Sequence, residues 1–191
     1  MQNKLIQYFS ELIVLSDEER QDIEESMVVK EYRKGDYLLK EGQIASDTYF
    51  VMKGLVREFI LLEGEEKTTN FYSENQWIIS LDMTAPVEPS VHNWVCAEDC
   101  VLVAGNEKMS IELFQRHPRL EAVSRMVMEK TFAAQQQQLT SYITDSPEQR
   151  YLKLLKYRPD IIQRVPQYQI AGYIGVKPES LSRIRKRIAL K

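Results

Sequence analysis

Between residues 27 and 104 the chain breaks into short apolar or alternating stretches separated by turn signals, at 27–32, 37–40, 48–52, 55–62, 67–72, 77–81 and 94–104. The punctuation is Lys34-Gly35-Asp36, Glu41-Gly42, Lys53-Gly54 and Glu63-Gly64-Glu65. Alternation with period two places apolar side chains on one face of a strand, and glycine supplies the positive φ of tight turns. Many such strands at close spacing predict an antiparallel barrel or jelly roll.

Helical signals flank this region. Leu5, Phe9, Leu12, Ile13 and Leu15 form an apolar helical face, and Ser16 before Asp17-Glu18-Glu19 reads as the cap and acidic first turn of a second helix. From Pro118 to about Asp145 no further glycine or proline interrupts a stretch carrying Leu120, Val123, Val127, Phe132, Leu139 and Ile143. It predicts one helix of roughly 40 Å at a rise of 1.5 Å per residue. Gln135-Gln136-Gln137-Gln138 interrupts its heptad, as a solvated face would. Ser146 and Pro147 suit the cap and first position of another helix. Tyr151, Leu152, Leu154 and Leu155 are expected to bury that helix, and Arg158-Pro159-Asp160 to end it.

Residues 167–187 have the pattern of two short helices around a tight turn. Ala171 is small where helices cross, Gly175 takes the left-handed turn, and Ile170, Ile174, Val176, Leu181 and Ile184 share one core. Pro178 opens the second helix. Glu179, Ser180, Ser182, Arg183, Lys186 and Arg187 then fall on its outer side, as a helix entering a major groove requires.

Charge follows the same division. Residues 147–191 carry 11 Lys and Arg against 3 Asp and Glu, a net +8, whereas residues 1–146 carry 14 against 25, a net −11. A basic segment behind an acidic body fits a nucleic-acid-binding module on a part that does not touch phosphates. The length of 191 residues accommodates both. No apolar run approaches the roughly 20 residues of a bilayer span, and the first residues lack a signal-peptide core, so a cytoplasmic protein without membrane contact is expected. Cys96 and Cys100 read as reduced core thiols, and with His92 and His117 they offer no convincing metal site.

Lys34-Gly35-Asp36-Tyr37-Leu38-Leu39-Lys40-Glu41-Gly42, then Tyr49-Phe50-Val51-Met52-Lys53-Gly54-Leu55-Val56-Arg57, then the helix-turn-helix resemble, in that order, the Crp/Fnr regulators. The resemblance covers nearly the whole chain. It implies an α+β architecture: an antiparallel, cyclic-nucleotide-binding-like β-roll over 1–116, a long dimer helix over 117–145 and a helix-turn-helix domain over 146–191. It further implies a homodimer on double-stranded DNA, a contact to RNA polymerase, and allosteric control by a small effector.

Two departures from the family stand out. The segments that meet ribose and cyclic phosphate in nucleotide-binding members correspond here to Ile79-Ser80-Leu81 and Val91-His92, with Ser90 near the hydroxyl role. No arginine lies between Arg57 and Arg116, so the phosphate-facing loop lacks its best bidentate partner, and cyclic AMP is not expected as the tight ligand. Two cysteines cannot supply the four thiolates of an iron–sulfur cluster. No cofactor is therefore expected. The remaining pocket candidates are Tyr72, Glu74, Asn75, Trp77, Ser80, Leu81, His92, Asn93 and Trp94, for an organic effector or simply as core. The family's β-wing after the recognition helix is expected to be reduced or absent, shifting load to Arg185, Lys186 and Arg187.

Glu179-Ser180-Leu181-Ser182-Arg183 resembles the Glu-x-x-Ser-Arg pattern of the family's oxygen-responsive branch. By that likeness Arg183 would donate twice to guanine, Glu179 would accept from cytosine amino groups, and Ser182 would touch a neighbouring base. Tyr168, Gln169, Lys177 and Lys186 are the expected backbone contacts. Two other classes fit the residues less well. A cupin-type enzyme needs clustered histidines, and the strand region holds one, so no catalysis is expected. An effector-binding adaptor whose basic tail touches protein or RNA leaves the complete helix-turn-helix pattern unexplained.

Overall fold

A computed structural model describes residues 4–79 and 88–190. Among the described residues eight strands form two four-stranded sheets, and every pairing is antiparallel. In one sheet the order is β1 (Val28–Tyr32), β8 (Cys100–Asn106), β3 (Asp47–Lys53), β6 (Trp77–Ile78). In the other it is β2 (Tyr37–Leu39), β7 (Asn93–Cys96), β4 (Val56–Leu62), β5 (Glu65–Tyr72). Val51, Val56, Ile78 and Leu102 are fully buried between the sheets, beside Tyr49 and Trp94, whose rings meet edge to face at 6.4 Å. This is the jelly roll that the strand pattern predicts.

The stretch 94–104 is two strands, one in each sheet, joined by a corner at Ala97, Glu98 and Asp99. Neither glycine nor proline marks that corner. Asp99 forms it by accepting from the Lys34 N–H at 2.9 Å, and Gly54 lies directly against it. A Cβ on Gly54 would stand 2.6 Å from the Cys100 sulfur and 2.7 Å from the Asp99 carbonyl. Both cysteines are buried and unbridged.

The outer face of the first sheet is covered by helices, so β3 buries both of its sides. Phe50 and Val103 pack under Leu5 and Tyr8 of α1 (Lys4–Ser10) and Val127 of α4 (Arg119–Thr144). Ile23 of α2 (Asp17–Ser26) joins Leu120 and Val123, and α3 (Glu107–Arg116) closes the group. Ser16 and Glu19 make the reciprocal capping box at the start of α2. At 26 residues, α4 is about 39 Å long. Leu120, Val123 and Val127 of its amino-terminal half are buried, but Met126, Met128, Phe132, Leu139, Tyr142 and Ile143 are exposed. Of the glutamines, Gln136 and Gln137 are solvated, whereas Gln138 donates to the Thr69 carbonyl at 2.6 Å and so ties α4 to β5.

Four helices follow: α5 (Pro147–Tyr157), α6 (Pro159–Arg164), α7 (Gln167–Tyr173) and α8 (Pro178–Ala189). Ser146 and Gln149 form a second capping box. Tyr151 and Leu154 are buried, but Leu152 is exposed, contrary to expectation, because it lies on the opposite side of α5. Arg158-Pro159-Asp160 ends α5 and also starts α6, with Pro159 in the first turn where its missing N–H costs nothing. Leu55 and Phe71 of the roll share one core with Tyr151, Ile161, Ile170, Ala171, Ile174 and Leu181. The helical domain is thus docked on the second sheet. No strand follows α8, and no helix is long and apolar enough to cross a membrane, among the described residues.

Candidate functional site

The turn between α7 and α8 closes as a Schellman motif. Val176 N–H reaches the Ala171 carbonyl at 2.9 Å and Gly175 N–H the Gly172 carbonyl at 3.0 Å, with Gly175 at φ +75°. Pro178 occupies the first turn of α8. Leu181 and Ile184 point into the core, so the rest of α8 turns outward: Glu179, Ser182, Arg183, Lys186 and Arg187 are exposed and Ser180 half-buried. Arg183 makes one long contact, donating to Ser180 Oγ at 3.3 Å. Arg187 pairs with Glu148 at 2.5 Å and Arg185 donates to Gln167 at 2.7 Å, leaving Lys186 without a side-chain partner among the described residues. Lys177 is exposed just before the helix, and Tyr168 is exposed on α7, where it accepts from Gln169 Nε2 at 3.2 Å. Gln169 Oε1 is buried without a partner.

A second site lies inside the roll, and its centre is Glu58 of β4, a residue that the strand pattern does not single out. Its carboxylate accepts from Thr69 Oγ1 at 2.6 Å, Trp94 Nε1 at 2.9 Å and Tyr72 Oη at 3.0 Å. His92 Nδ1 stands 3.7 Å from the same carboxylate. Burial, and then the charge of Glu58, push the Tyr72 phenol well above its ordinary range, so it serves as a donor. The interior opens onto a wide groove between β4, β5, α4 and α7, which Tyr72, Asn75, Trp77, His92 and Trp94 line.

Other expected pocket residues lie elsewhere. Glu74 turns away to Arg164, because the turn after β5 reverses its side chain toward α6. Asn93 accepts from the Glu41 N–H at 3.1 Å, since Trp94 holds the inward-facing position of β7. Trp77 reaches the groove only at its edge, its ring packed between Phe9 and Phe50. Ser90 Oγ is occupied by the His92 N–H at 3.1 Å. Ser80 and Leu81 lie outside the described residues. Arg57, the one arginine of these strands, faces outward, donating to Glu66 at 2.5 Å and stacking on Phe59. Among the described residues no group of three or more His, Cys, Asp or Glu is placed to hold a metal.

Residues 29–117 match the cyclic nucleotide-binding domain. A search of curated proteins finds no match. Solved structures match along most of the chain. The c-di-GMP-responsive global regulator CLP of Xanthomonas campestris superposes with a TM-score of 0.70 at 15% identity, over 92% of each chain. FixK2 of Bradyrhizobium japonicum gives 0.71 at 14%, over 86% of this chain and 85% of that one. A chain from Eubacterium rectale assigned to the Crp/Fnr family gives 0.70 at 16%, over 96% and 88%.

Proposed function

From a chain with a cyclic nucleotide-binding domain over 29–117 and the fold of the Crp/Fnr regulators, we propose a homodimeric, sequence-specific DNA-binding transcription regulator. The observation that carries this reading is α8: its apolar residues are consumed by the core, and an exposed row of Glu179, Ser182, Arg183 and Lys186 remains with little else to bind. Such a row fits base edges in a major groove. Arg183 takes guanine, Glu179 cytosine and Ser182 an adjacent base, while Tyr168, Gln169, Lys177 and Lys186 hold the phosphate backbone. The exposed seam of Phe132, Leu139 and Ile143 on α4 is the dimer contact. Two such subunits address half-sites about one DNA turn apart.

Glu58 bears on the effector. A carboxylate inside the roll, already holding three donors, repels the phosphate of a cyclic nucleotide, and among the described residues of the roll no arginine faces inward to offset it. Cyclic AMP is therefore not the effector of this roll. The test is selection of random duplex DNA by the ligand-free protein at moderate salt, repeated with cyclic AMP. A two-fold symmetric site, unchanged by the nucleotide, is the expected result. No enrichment by folded, dimeric protein in either arm overturns the DNA reading, and enrichment only with cyclic AMP overturns the view of the roll.

A further inference from the structure

Two arginines at the ends of α6 grip the roll. Arg164 places Nη1 and Nη2 on the Glu74 carboxylate at 2.9 and 3.1 Å, and Nε and Nη2 on Glu98 at 3.2 and 2.5 Å. Arg158 donates to the Phe71 carbonyl at 3.5 Å and to Ser73 Oγ at 3.2 Å. Glu74 belongs to the turn after β5 and Glu98 to the corner between β7 and β8, so one guanidinium joins two separate turns of the roll to the helical domain. Bidentate pairing fixes orientation as well as distance.

The contact that this grip orients is close. Phe71 meets the Tyr173 ring at 5.3 Å, and Gly172 lets the α7 backbone approach Thr68 to 3.4 Å from where a Cβ would stand. The helical domain meets the roll through α6, α7 and the core they share with Leu55 and Phe71, and the outer row of α8 stays exposed. In this docked arrangement the start of α8, at Lys177 and Glu179, shares a groove with the β4–β5 hairpin of the roll. Resting on the regulator reading above, we propose that Arg164 is a positioning residue that sets the spacing between DNA half-sites, by locking each helix-turn-helix to its own roll. In a dimer any rotation of one domain is repeated by symmetry in the other, so looseness at α6 appears twice at the DNA. Strand β5 also carries Tyr72 into the interior two residues before Glu74 enters the grip, which places the lock within reach of the Glu58 site.

The experiment uses the half-site selected by the full-length wild type, placed in duplexes as a single copy or as two copies at a series of spacings. Wild type should prefer one spacing over its neighbours by about tenfold, the scale of one well-made contact. Arg164→Ala, and separately Glu74→Gln with Glu98→Gln, should flatten that preference to about threefold or less while single-copy affinity stays within about twofold, and Arg164→Lys should restore part of it. Retention of the wild-type spacing preference in both variants overturns the proposal, and so does a parallel loss of single-copy affinity, which marks a merely structural role. If wild type selects no two-fold site at all, the failure belongs to the regulator reading instead.

Discussion

The interior of the roll and the outer face of α8 hold similar polar side chains and treat them oppositely. Inside, Glu58 is surrounded by Thr69, Tyr72 and Trp94, each with its donor already placed. Outside, Ser182 and Lys186 have no side-chain partner among the described residues, and Arg183 has one long contact. Pairing among buried groups stabilises a fold, because an orphaned buried donor costs more than its bond contributes. Leaving exposed groups unpaired prepares a surface for a partner. The two regions divide stability from recognition, and substitutions in each should separate those effects.

The largest effect is expected at the centre of the roll. Glu58→Ala orphans three donors and should lower unfolding stability by about 3 kcal/mol in chemical denaturation. A loss below about 1 kcal/mol would mean that water fills the role and that the interior is a wet pocket rather than a closed network. On α8, Arg183→Ala should leave stability unchanged but cost about 1 to 3 kcal/mol of discrimination at one base pair in each half-site. Equal weakening on every sequence would reassign Arg183 to the phosphates.

The acid limb sharpens the comparison at the junction. Burial raises the Glu74 carboxyl, but hydrogen bonds from Arg164 and from the backbone of Glu74 and Gly54 outweigh it and bring the pKa down to about 2. A lowered folded-state pKa gives stability that is complete above the ordinary carboxylate value of 4.5 and is lost as pH falls toward 2. Glu74→Gln lacks that titration, so its thermal midpoint should fall less than wild type between these limits; matching acid limbs would deny Glu74 a part in holding the domains together. The smallest effect is at Lys186. Its replacement by alanine should weaken all DNA sequences alike and reduce the salt slope of log affinity by about one. Sequence-selective loss would move Lys186 from backbone to base.

What the sequence disclosed follows from how each element is marked. Strands ending at Gly35, Gly42, Gly54 and Gly64 were legible, because all four glycines have positive φ and stand where the pattern breaks. The corner at Glu98 was not, since it is formed by Asp99 accepting from a backbone 65 residues away. Glu58 was hidden for a related reason. In β4 both faces are covered, Val56 and Glu58 inward, Arg57 and Phe59 toward the other side, and each face carries one charge. Alternation alone cannot say which charge is interior; only the register that sets Glu58 opposite Trp94 does. The outer row of α8 was readable because Leu181 and Ile184 orient a short helix by themselves. The Arg164 grip was not, because its partners come from two turns that sequence order keeps 24 residues apart.

The turn of the helix-turn-helix presses against the end of α4. A Cβ at Gly175 would stand 2.5 Å from the Tyr142 hydroxyl and 3.0 Å from its ring, in addition to the strain of φ +75°. The two positions are therefore coupled over generations, although Tyr142 is exposed and its ring can swing. A side chain at 175 would have to push that ring out from under Arg150, so the order in which substitutions accumulate matters, and Gly175→Asn should cost less stability after Tyr142→Ala than before it.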